Sequence, residues 1–114
     1  MIARLLGLAT ISPTDLRAKL PSLSIFDVNP LSSWREAHVP GARHLDPDGF
    51  EAADLPAPRD VAIVFYCSGP LCRKAPRAAR RARDLGYTNV RVMAAGIRGW
   101  VSAGLPTEGE AIPT

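Results

Sequence analysis

The chain has 114 residues, a length that fits one domain with a hydrophobic core that needs no disulfide staples. Its apolar share of 46% and charged share of 22% are those of a globular protein, and exclude a disordered or fibrous chain. The net charge of +3 is mild; its distribution is not, because Arg73, Lys74, Arg77, Arg80, Arg81 and Arg83 fall within one short stretch. Two cysteines are too few for a disulfide framework and read as chemistry. The opening MIARLLGLATISP is interrupted by Arg4 and Gly7, too short for a secretory apolar core or a membrane span, so a cytoplasmic location is expected.

In chain order, LATIS predicts a short first strand, and SPTDLRAKL a helix with Ser12 as N-cap, Pro13 at its first position and Asp15 in its first turn. LSIFDV is a compact apolar run that predicts a buried strand. NPLSSWREAHVPGA holds turn chemistry at Asn29-Pro30, then a short helix capped by Ser32 or Ser33 and broken at Pro40-Gly41. ARHLD predicts a brief strand, and PDGFEAADLPAPR a loop with one helical turn.

DVAIVFYC is the clearest strand, apolar on both faces as in a parallel sheet covered on each side. APRAARRARDLG is the clearest helix, with Ala75, Ala78, Ala79, Ala82 and Leu85 on one face, Arg77, Arg80, Arg81 and Asp84 on the other, and Gly86 closing it. NVRVMA gives a last strand and IRGWVSAGLP a last short helix. Alternating strands and helices predict an α/β fold with a largely parallel sheet. Ligands of such sheets bind beyond the carboxyl ends of the strands, which singles out CSGPLCR between the clearest strand and the clearest helix.

A strand-to-helix loop aims backbone N–H groups at one spot, and the helix dipole adds positive potential. Both effects predict a Cys67 thiolate with a pKa below the ordinary value of about 8.5. Ser68, Gly69, Leu71, Cys72 and Arg73 form the expected anion-binding loop, with Gly69 allowing a tight curl and Arg73 supplying a fixed cation. The helix start falls between Leu71 and Pro76. The H-x5-H spacing of His38 and His44 beside the C-x4-C of the cysteines is arithmetically possible for zinc. The order reverses that of a zinc finger and His38 adjoins a turn, so no metal and no cofactor are assigned.

The chain resembles the single-domain rhodanese family from about Thr10 to Pro106, leaving 107–114 as an expected flexible tail of a single 1–114 domain. ISPTDL, FDV, WREAHVPGARHL, YCSGPLCRKAPRAA and LGYTNVRVMAAGIRGWVSAGLP follow the order of the family's segments. The resemblance implies a parallel sheet of about five strands flanked by helices. It also implies a Cys67 nucleophile that takes sulfane sulfur from an anionic donor such as thiosulfate and passes it to a thiol or cyanide acceptor. In that reading Cys72 is a candidate resolving thiol, and the acceptor is a small thiol or a protein rather than nucleic acid or membrane. The sequence departs from the family at Asn29, where an arginine is common, at Ala95 in the usual glycine pair, and in a loop about two residues longer. Because Cys67 and Arg73 make C-x5-R, a phosphatase or arsenate reductase on the same fold remains an alternative, as does a non-catalytic binding module.

Overall fold

The computed structural model describes residues 7–110; the opening MIARLL lies outside the described residues. The described residues form five strands and four helices, in the order β1 Ala9–Thr10, α1 Pro13–Lys19, β2 Ser24–Asp27, α2 Leu31–Glu36, β3 Arg43–His44, β4 Ile63–Tyr66, α3 Lys74–Asp84, β5 Val90–Val92 and α4 Gly96–Ser102. Short 3-10 turns occupy Leu20–Ser22 and Ala52–Asp54. All four strand pairings are parallel, and the sheet order is β1-β5-β4-β2-β3, with β4 at its centre.

The caps explain most boundaries. Ser12 Oγ accepts the Asp15 N–H at 3.1 Å, with Pro13 opening α1 where a missing N–H costs least. At α2 the expected serine cap does not form: the helix starts at Leu31, Pro30 is the N-cap, and Ser32 and Ser33 lie inside it. Proline reaches this position because its fixed φ and extended ψ already turn the chain into the helix, without a side-chain cap. Gly86 follows α3 at φ +99°, a left-handed conformation that favours glycine.

Two cores form on the two faces of the sheet. Strand alternation sends Ile63, Phe65 and Cys67 to the face covered by α3, where Ala78, Ala79 and Ala82 are fully buried and Phe26 stacks on Phe65 with centroids 5.7 Å apart. The small alanine stripe lets the helix lie close above β4 and β5. Val64 and Tyr66 face the opposite way, into a core with Leu16 of α1, Met93 and Trp100 of α4. Trp100 is fully buried and its Nε1 donates to the Pro106 carbonyl at 2.7 Å, so it is a packing residue. Trp34 stacks on His38 at 4.3 Å.

A buried polar network ties β2 to β4. Tyr66 Oη donates to Asp27 Oδ2 at 2.7 Å and accepts the Val39 N–H at 3.0 Å, while Asp27 Oδ1 accepts the Asn29 N–H at 2.8 Å. Burial raises the Asp27 pKa above the ordinary carboxylate value, and these hydrogen bonds pull against it. Tyr66→Phe strands a buried carboxylate oxygen and a buried N–H at once. It should cost about 2–4 kcal/mol, read as a lower urea midpoint at unchanged m-value.

Thr107–Glu110, read from sequence as the start of a flexible tail, run back beside α2. His38 and Glu108 exchange backbone hydrogen bonds at 2.8 and 2.9 Å, and Glu108 Oε1 accepts the Gly41 N–H at 2.8 Å. The Glu110 N–H reaches the Arg35 carbonyl at 2.8 Å, so these residues are held by backbone pairing. Residues 111–114 lie outside the described residues.

Candidate active site

Cys67 immediately follows β4, the central strand, and Cys72 precedes α3, so the chain between them turns back on itself in five steps. The turn is closed by the Cys72 N–H donating to the Gly69 carbonyl at 3.1 Å. A second clamp comes from the start of α4, where the N–H groups of Ile97 and Arg98 bind the carbonyls of Cys67 and Ser68 at 2.9 and 3.1 Å. Gly96 allows this approach: its φ is +66°, and a Cβ there would lie 2.5 Å from the Gly69 nitrogen and the Ser68 carbonyl carbon.

The loop brings the two cysteines to one small pocket, where each shifts the titration of the other. The backbone N–H groups of Ala75 and Ser68 favour a charged Cys67, while those of Lys74 and Ser68, with the Ser68 hydroxyl, favour a charged Cys72. Helix α3 begins at Lys74, inside the predicted range. Cys67, Cys72, Ala75, Val92, Met93 and Ala94 line a pocket of about 10 Å³, room for about one water molecule.

The charge on the two sulfurs reverses the sequence expectation. Cys67 is 2% exposed, and burial, aided by its donation to Cys72, pushes its thiol up to about 12 despite the N–H groups of Ala75 and Ser68. Burial also raises Cys72, but there the bonds from Cys67, Lys74 and Ser68 outweigh it and hold the thiol below its ordinary value. Desolvation at the strand end therefore defeats the helix dipole at Cys67, and Cys72 is the more acidic thiol of the pair. With iodoacetamide at pH 7, mass mapping should find Cys72 alkylated first and Cys67 spared. A folded-state pKa raised at Cys67 also means that its contribution to stability is complete below about pH 9 and is lost as pH rises towards about 12.

Other predicted loop residues are spread differently. Gly69 is buried, whereas Leu71 is 86% exposed and points away from the sulfurs. Arg73 is the exposed N-cap of α3 and makes no ion pair among the described residues. Of the basic face, Arg77 pairs with Asp48 at 2.8 Å, and Arg81 pairs with Glu51 at 3.2 Å and donates to the Phe50 carbonyl at 2.7 Å. Those two arginines fasten α3 to the preceding loop. The Arg98 side chain lies over Gly69, with its Cδ 3.6 Å from where a Cβ would sit, a cation that sequence reading missed. Its only signal was its place after the glycine turn.

The histidines do not join the cysteines. His38 Nδ1 bonds the Trp34 carbonyl at 2.6 Å and His44 Nε2 the Asn29 carbonyl at 2.8 Å. Among the described residues no three His, Cys, Asp or Glu side chains converge to hold a metal ion. Nor is any described helix long and apolar enough to cross a membrane.

A model of the rhodanese-like domain family matches residues 12–103. The chain belongs to that family. Among curated proteins it is 35% identical over 94 residues to an HTH-type transcriptional regulator of Mycobacterium tuberculosis, a match spanning 81% of this chain and 40% of the regulator. It is 30% identical over 111 residues to the thiosulfate:glutathione sulfurtransferase of Homo sapiens, covering 83% of this chain and 95% of that enzyme. The rhodanese-like fold is shared with a Bacillus halodurans protein at a TM-score of 0.81 and 24% identity, covering 89% of this chain and 77% of that one. A thiosulfate sulfurtransferase from Pseudomonas aeruginosa superposes with a TM-score of 0.78 at 26% identity, over 90% of this chain and 19% of that one. This rhodanese-like domain therefore has sulfurtransferases among its relatives, and the five-stranded parallel sheet expected from sequence is present.

Proposed function

We propose that this rhodanese-like protein is a sulfurtransferase that carries sulfane sulfur as a persulfide on Cys67. The observation that carries the reading is a cysteine at the end of the central strand that shares one small pocket with a second, more acidic thiol before a helix start. As Cys67 attacks the outer sulfur of thiosulfate, its proton passes to the neighbouring Cys72 sulfur, which takes part in this step in its ionised form. Sulfite leaves with the electron pair of the broken S–S bond. The persulfide anion then sits among N–H donors already aimed at sulfur, which need no reorganisation. Arg98 and Arg73 add positive potential that draws an anionic donor to the loop. Covalent transfer of this kind splits the reaction into loading and unloading, so ping-pong kinetics are expected with a small thiol or cyanide as acceptor.

The oxyanion enzymes of this fold find less support. A C-x5-R phosphate loop needs its arginine folded over a tetrahedral anion, whereas Arg73 is exposed and the pocket has room for about one water molecule. The deciding experiment is intact mass after thiosulfate treatment without reductant, on wild type and on Cys67→Ser and Cys72→Ser variants. A gain of about 32 Da held by Cys72→Ser and absent from Cys67→Ser supports the reading. Turnover of an aryl phosphate or arsenate, with no sulfur gained by any variant, would replace it.

A further inference from the structure

The loop holds a second thiol beside the first, and accepting a proton during loading leaves its nucleophilicity unused. Cys72 and Cys67 line the same pocket of about 10 Å³, walled by Val92, Met93 and Ala94. Their side chains lie close enough to shift each other's titration, so Cys72 sits beside the sulfur that becomes the inner atom of the persulfide. Attack on that inner atom expels the outer sulfur. Cys67 is 2% exposed, so an external thiol must open the loop to reach it, whereas Cys72 is already there. Closing the pair is also local: the Cys72 N–H to Gly69 carbonyl turn has already brought the chain back on itself.

We propose, resting on the persulfide reading above, that Cys72 is an internal acceptor and that the protein releases its sulfur as hydrosulfide. Loading leaves Cys67 as a persulfide anion and Cys72 as a thiol that carries the transferred proton. That proton moves to the outer sulfur as Cys72 Sγ attacks Cys67 Sγ. The bond between inner and outer sulfur breaks, the outer sulfur leaves as HS⁻ with the electron pair, and a Cys67–Cys72 disulfide forms. The sulfane sulfur is reduced by two electrons and the two cysteines are oxidised by two, so the step needs no outside oxidant. Turnover then requires a dithiol reductant, either a small molecule or a redox protein, to restore the pair. The partner class implied is a disulfide-reducing thiol rather than a sulfur acceptor.

A single-turnover experiment tests this on the full chain, reduced, freed of reductant and kept anaerobic, with about one equivalent of thiosulfate. Reductant is left out because any added thiol would strip the persulfide itself. Wild type should release about one equivalent of sulfide, trapped with monobromobimane, and lose about 2 Da as its disulfide closes. Cys72→Ser should load more slowly, hold about 32 Da and release no sulfide. If wild type keeps the added sulfur as firmly as the variant, the carrier reading stands and internal release is wrong. Peptide mapping that finds the added sulfur on Cys72 also overturns it. Failure of both proteins to gain or release sulfur removes the persulfide reading itself.

Discussion

Cys67→Ser is expected to lose sulfur loading altogether and to lower thiosulfate-dependent transfer by at least about a thousandfold. Serine is close to cysteine in size, so the fold should survive, with an unchanged far-UV spectrum and urea midpoint. What is lost is the atom that can form and surrender an S–S bond. Stopped-flow or steady-state assay of sulfite release reads the loss directly. Sulfite release retained at wild-type rates would move the nucleophile elsewhere, Cys72 being the first place to look.

Gly96→Ala should be nearly as damaging by a different route. At φ +66° an alanine is strained, and its Cβ would lie 2.5 Å from the Gly69 nitrogen and the Ser68 carbonyl carbon, and 2.6 Å from the Ser68 oxygen. These are backbone atoms of the cysteine loop, so relief requires the loop to leave α4. The hydrogen bonds from Ile97 to Cys67 and from Arg98 to Ser68 then fail together. A loss of about 2–4 kcal/mol in stability is expected, with transfer activity falling further than stability alone explains. The two effects separate by assaying activity well below the variant's own Tm. Activity restored there to the wild-type level would show that the clamp does not shape the loop.

Much of this fold was legible because local and global signals agree. The run IVFY is apolar on both faces and became the central strand, and the alanine stripe after it became the helix pressed against it. The strand end at Cys67 and a helix start near Cys72 follow from those two elements alone. The tertiary contacts were not legible. Asp27 and Tyr66 are 39 positions apart, and each reads as an ordinary strand residue until the parallel register places them side by side. Gly96 and Arg98 act on the loop from a different helix, through contacts that spacing does not encode. The polarity of the cysteine pair was misread for a physical reason. A helix start argues for a thiolate, but how deeply the strand end is buried is a property of the whole fold.

The central position of β4 has a consequence for how the site moves. Cys67 hangs from a strand with neighbours on both sides, whereas Cys72 is held by one backbone bond of a surface turn and the first turn of a helix. Amide exchange should therefore be slowest at Val64–Tyr66, approaching the rate of global unfolding, and faster by orders of magnitude at Leu71 and Arg73. Any change of sulfur bonding would then be taken up by the Cys72 side. In the proposed chemistry Cys67 would be the fixed anvil and Cys72 the hammer.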